Sequence, residues 1–207
     1  MIVNVLHLLT FGGLRIESDD GTAAPRLSPP RLALLATLAA AGEGGASRER
    51  LVGLFWPDID EQRARHSLRQ TLYAVQNDLG REVVQPLGGA LGLDNAKLAS
   101  DVSDFRLALA SGDRARAVEL VRGPFLDGFY LPGAREFDRW VEEERARLRE
   151  ATTTAVLALA TDAARCARTS TTSERSPTGC SRAARDRSSS AASRGSRTGG
   201  PRRVRPS

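Results

Sequence analysis

The spacing of apolar and polar positions changes several times along this chain, and each change marks an element. From residue 3 to 27 the pattern is that of short strands. Val3, Val5, His7 and Leu9 alternate with Asn4, Leu6 and Leu8 in a largely apolar run. Gly12-Gly13 punctuates it, Leu14 and Ile16 follow, and a polar turn over residues 17–21 carries the hairpin signal Asp20-Gly21. Ser28-Pro29-Pro30 then opens a helix, because proline is tolerated in a first turn where its missing N–H costs little. Leu32, Leu35 and Leu38 or Ala39 form its apolar stripe, and residues 42–45 end it. Ser47 is the expected N-cap of a second, short helix, with Glu49 in its first turn, a buried stripe of Leu51, Leu54 and Phe55, and Trp56-Pro57 at its close.

The segment 63–79 is the most informative. On a wheel of about 100° per residue, Ala64, Leu68, Leu72, Val75 and Leu79 fall within about 40° of one direction, which predicts a core face. His66, Gln70, Tyr73 and Asn77 collect on the opposite side, flanked by Arg63 and Arg69, with Arg65 nearer the core edge. These are residue types that read nucleic acid: Arg pairs with guanine or phosphate, Gln and Asn with adenine, and Tyr reaches a phosphate. Any solvated helix can show such a face, so context decides. The helix is third after an N-terminal sheet, follows a short helix through a tight turn, and is succeeded by two strands, 82–86 and 90–93, around Gly88-Gly89. Asn77-Asp78-Leu79-Gly80 ends it, Gly80 suiting a left-handed cap. That arrangement is a winged helix-turn-helix.

From Asp101 onward the pattern is helical: 104–111 and 114–122 around Gly112-Asp113, a Gly/Pro/aromatic loop over 123–133, and a long amphipathic helix from Ala134 to about Ala160. Trp56, Phe125, Phe137 and Trp140 read as packing residues. Glu142-Glu143-Glu144 ahead of Arg145, Arg147 and Arg149 reads as a solvated face laced by i,i+3 and i,i+4 pairs.

Charge sharpens this division. The net charge of +5 arises entirely beyond residue 161: residues 162–207 hold 11 Arg and 3 acidic side chains, whereas 1–161 hold 19 basic and 22 acidic ones. Global basicity is therefore no argument for nucleic-acid binding by the folded part, and local placement must carry it. The stretch from Asp162 has ten Ser, no aromatic and only Val204 as an aliphatic beyond Ala, a composition expected to be disordered. It reads either as a basic arm or as the product of a reading-frame shift near codon 162, which would leave the helical domain truncated.

Other chemistries find little here. Cys166 and Cys180 lie in the basic segment, and His7 and His66 are the chain's two histidines, so no metal-ligand or disulfide pattern emerges. Lys97 is the only lysine, no phosphate-binding loop is present, and no nucleophile has a partnered base, so no enzyme and no cofactor are expected. No apolar stretch reaches a membrane span and no secretory leader is legible, so the expected location is the cytoplasm, without membrane contact.

Three groups of residues also carry a resemblance. They are Leu8-Leu9-Thr10-Phe11-Gly12-Gly13-Leu14, Leu51-Val52-Gly53-Leu54-Phe55-Trp56-Pro57-Asp58, and Ala64-Arg65-His66-Ser67-Leu68-Arg69-Gln70-Thr71-Leu72 with Leu79-Gly80. In that order they resemble the SARP-type transcriptional regulators of bacteria. Asp101-Val102-Ser103-Asp104-Phe105, Gly123-Pro124-Phe125-Leu126 and Trp140 resemble the bacterial transcriptional activator (BTAD) domain of the same family. The resemblance implies an α+β winged helix-turn-helix over 1–99, with 63–79 as recognition helix and the wing near 82–99. It further implies a partial, tetratricopeptide (TPR)-like all-α domain over 100–161. It departs at Gln76, where an Arg is expected. The implied function is sequence-specific binding of double-stranded DNA by an activator, with Arg63, Arg65, His66, Arg69, Gln70, Tyr73 and Asn77 as candidate contacts. RNA polymerase or a second copy in a homodimer is the implied protein partner. The competing readings are a helical protein-interaction adaptor that no longer binds DNA and a nonfunctional gene remnant.

Overall fold

A computed structural model describes residues 5–19, 23–80 and 82–173. Strands β1 (Leu6–Leu9) and β2 (Arg15–Ser18) pair antiparallel, Leu8 opposite Ile16. A third strand, β6 (Leu98–Ser100), lies parallel to β1 on its other edge, giving the order β2-β1-β6. The hairpin signal at Asp20-Gly21 falls outside the described residues.

Helix α1 (Pro29–Ala41) starts at Ser28 with the two prolines in its first turn and buries Ala33, Leu34, Leu35 and Leu38. A 3₁₀ turn leads to the two-residue strand β3 (Ala46–Ser47) and then to α2 (Arg48–Phe55) and α3 (Glu61–Leu79). Strands β4 (Val84–Leu87) and β5 (Ala90–Leu93) form the expected hairpin around Gly88-Gly89, and β3 joins it to make a sheet of order β3-β5-β4. The winged helix-turn-helix is thus present. Its wing is the β4–β5 hairpin, while the end of the 82–99 stretch returns to the N-terminal sheet as β6.

The helical half consists of α4 (Asp101–Ala110), α5 (Arg114–Leu120) and α6 (Arg135–Ser173). Two expectations change here. Helix α6 runs past residue 162, where composition predicts disorder, because Asp162-Ala163-Ala164-Arg165 suits a helix: alanine is the best helix former, and Arg165 reaches Asp162 at 3.6 Å. Residues 174–207, the rest of that segment, lie outside the described residues. Second, Glu144 is not on a solvated face. It is only 3% exposed and ion-paired to both Arg106 of α4 and Arg147, the latter at 3.3 Å.

One buried core runs through both halves. Phe55 at the end of α2 packs on Phe137 of α6 with ring centroids 5.3 Å apart. Phe137 continues to Trp140 at 5.5 Å, and Trp140 to Phe125 at 6.0 Å. The loop before α6 is tied back to the β1–β2 connection: the Leu126 amide donates to the Thr10 carbonyl (2.8 Å), and the Gly12 amide to the Pro124 carbonyl (3.0 Å). A Cβ on Gly123 would stand 2.9 Å from the Gly12 Cα, so that approach requires glycine. Arg145 of α6 fixes the same loop by donating to the Phe125 and Leu126 carbonyls at 2.7 and 2.6 Å. The helical half therefore braces the helix-turn-helix from behind, through α2, and leaves the outer face of α3 uncovered.

Candidate nucleic-acid interface

Helix α3 is bounded by its sequence at both ends. Asp60 caps it by accepting the Arg63 amide (3.1 Å), and Gly80 closes it in the left-handed region at φ 61°. Its predecessor is capped in the same way, the Ser47 hydroxyl accepting the Arg50 amide at 3.1 Å. Between them, residues 56–60 form the tight turn. Ala64, Leu68, Val75 and Leu79 are buried and Leu72 half-buried, as the wheel predicts. Burying a Leu or Val side chain contributes about 1.5–3 kcal/mol, so these anchors fix the helix's rotation. The Arg31–Asp78 ion pair ties its last turn to α1.

With the rotation fixed, all seven candidate residues are exposed, Arg63, Arg65, His66, Arg69, Gln70 and Tyr73 along the length of the helix. Asn77, a turn before the cap, is exposed as well. They do not all stay free. Arg63 pairs with Asp60 at 3.2 Å but remains 83% exposed in its side chain. Arg65 leans toward α2, where it meets Glu61 at 2.5 Å and Glu49 at 3.9 Å. Its nearness to the core edge foreshadows this. Arg69 forms no ion pair among the described residues, and Tyr73 holds a large aromatic ring 68% exposed to solvent. An aromatic side chain left so open on a well-anchored helix has no packing role there.

A groove of about 770 Å³ runs between α2 and α3, bordered by Arg48, Glu49, Arg63, Arg65, His66 and Arg69. Its one acidic wall, Glu49, has its carboxyl held below the usual carboxylate range. A backbone hydrogen bond at the helix start is the first cause, the Ser47 hydroxyl and the charges of Arg65 and Arg48 adding to it against partial desolvation. A second, smaller groove of about 280 Å³ lies between α3 and the wing, bordered by Arg48, Tyr73, Gln76 and Pro86. Sequence reasoning misses Arg48 because it sits on α2. Only the folded arrangement brings it to the corner where α2, α3 and the wing tip meet, its guanidinium donating to the Gly89 carbonyl at 3.4 Å.

Among the described residues no group of three His, Cys, Asp or Glu is placed to hold a metal ion, and no helix is long and apolar enough to cross a membrane.

No family model and no curated protein matches the chain. Among solved structures it is similar to EmbR of Mycobacterium tuberculosis, determined in complex with a low-affinity phosphopeptide, at 23% identity and a TM-score of 0.58. The match covers 81% of this chain and 48% of EmbR, so the chain corresponds to about half of that protein. This likeness is one of fold.

Proposed function

We propose that the protein is a SARP-type transcriptional regulator that binds double-stranded DNA sequence-specifically by laying α3 in the major groove. The observation that carries the reading is the outer face of α3. Arg69, Gln70 and Tyr73 stand exposed on a helix whose opposite face is anchored in the core, with Arg63 open at its start. Helix-turn-helix proteins read base edges with such a face. The same face makes no sense as a catalytic site, since it lacks a partnered base or an enclosed cavity.

On this reading the helical half holds α2 in place and supplies protein contacts, with RNA polymerase or a second copy as partner and activation as the sign of control. Exposed Val156 and Leu157 on α6 support a contact role. The adaptor reading uses the same surface and differs in one respect: it requires no DNA. Selection of duplexes from a random-sequence pool by the full chain separates them. Recovery of a shared motif supports the regulator, and recovery of unrelated sequences with no enrichment overturns it in favour of the adaptor.

A further inference from the structure

The wing carries no positive charge of its own. From Glu82 to Ala96 the sequence contains no Arg, Lys or His. Lys97, next along the chain, is engaged with Asp94 at 3.0 Å, and Arg81 on the other side lies outside the described residues. The hairpin tip is Leu87-Gly88-Gly89-Ala90, with Gly88 at φ 59° making the turn. The negative potential of a narrow minor groove draws Arg, Lys or His into it, and Asn or Gln can read it without that attraction. This wing offers that potential no cation, only the neutral amides of Gln85 and Asn95.

One cation does reach the tip, from another element. Arg48 is exposed, forms no ion pair among the described residues, and rests its guanidinium on the Gly89 carbonyl. Its hydrogen-bond partner there is a neutral carbonyl, and the charge it shares electrostatically with Glu49 is not tied up in an ion pair. It also borders both grooves that flank α3, which puts it beside whatever occupies the α3 face.

We propose that the wing of this protein makes no minor-groove contact, Arg48 on the wing tip supplying the backbone phosphate contact that the cation-free hairpin lacks. The inference rests on the DNA-binding reading above and specifies its substrate: duplexes chosen by major-groove base edges, with no preference for the narrow minor groove of A-tracts. Preorganisation by Gly89 makes Arg48 an anchored contact.

The test uses the full chain and a duplex recovered by it from a random-sequence pool. The logarithm of affinity is followed against the logarithm of salt concentration for wild type, Arg48→Ala, Arg48→Lys and the wing variant Gln85→Ala. Removing one phosphate contact lowers the slope by about 0.9. The proposal expects that reduction in Arg48→Ala, a wild-type slope in Arg48→Lys, no change in Gln85→Ala, and adenine N3 positions that stay open to methylation in the minor groove beside the wing. An unchanged slope in Arg48→Ala, or protection of adenine N3 beside the wing, overturns it. Failure of the underlying reading looks different: wild type and an Arg63→Ala/Arg69→Ala variant would then bind this DNA alike.

Discussion

The carboxylate of Asp101 closes on Thr10 from 91 positions away in the chain. It accepts the Thr10 amide at 2.8 and 2.9 Å and the Thr10 hydroxyl at 2.6 Å. The Phe11 amide at 2.9 Å and the Val102 amide at 2.8 Å complete its shell. Thr10 is fully buried and Asp101 nearly so, and among the described residues no cation shares the site. The charge is held by donors alone, which joins the end of β1 to the first turn of α4 and so locks the helical half to the sheet. An asparagine in its place would turn an amide group toward these donors and leave buried N–H groups unmatched. Asp101→Asn is therefore expected to destabilise the chain by about 3 kcal/mol, read as a lowered midpoint in urea at unchanged slope.

Phe137 gives a second prediction. It is fully buried and meets Phe55, Trp140 and Phe129. Truncation to Ala empties the seam between α2 and α6, and denaturant unfolding should show a destabilisation of about 3–5 kcal/mol.

Little of this bracing is legible in the sequence, and the reason is physical. Periodicity records which face of an element is buried, so α3, its core residues and its outward face can be read from 63–79 alone. It does not record what the buried face meets. Asp101 reads as a helix start, and its real role depends on β6 pairing parallel to β1, a register that nothing local encodes. Glu144 reads as solvated because it stands in a charged run, until α4 brings Arg106 to it. Arg48 escapes notice for the same reason: its place at the wing tip is a tertiary fact. The end of α6 is hidden because composition can rule against a core but not against a continued helix.

Gly45 sits at the base of the wing with φ 62°, and a Cβ there would lie 2.4 Å from the Leu91 carbonyl oxygen. Gly45→Ala must displace β5 from β3, where Ala46 faces Leu91. The expected cost is about 1–3 kcal/mol of backbone strain, with the clash added to it, measured by thermal or urea unfolding.

Glu49 is the acidic wall of the groove and stands 3.9 Å from Arg65, which Glu61 holds more closely. Glu49→Gln removes that anion from the groove and leaves Arg65 paired to Glu61 alone. On the proposed function, affinity for a selected duplex should rise, though only modestly, because pairs between exposed charges are weak. Equal or weaker binding in a direct titration counts against a phosphate lying in this groove.

The central claim is that α3 reads DNA, and one comparison addresses it most directly. Fluorescence anisotropy of the full chain on a duplex selected from a random pool is measured across salt beside Arg63→Ala/Arg69→Ala, the Arg-rich C-terminal segment contributing equally to both. The account predicts binding weaker by roughly 1–3 kcal/mol for each base contact removed, or a salt slope reduced by about one for each phosphate contact removed. Equal affinity and equal slope in the two proteins would contradict it.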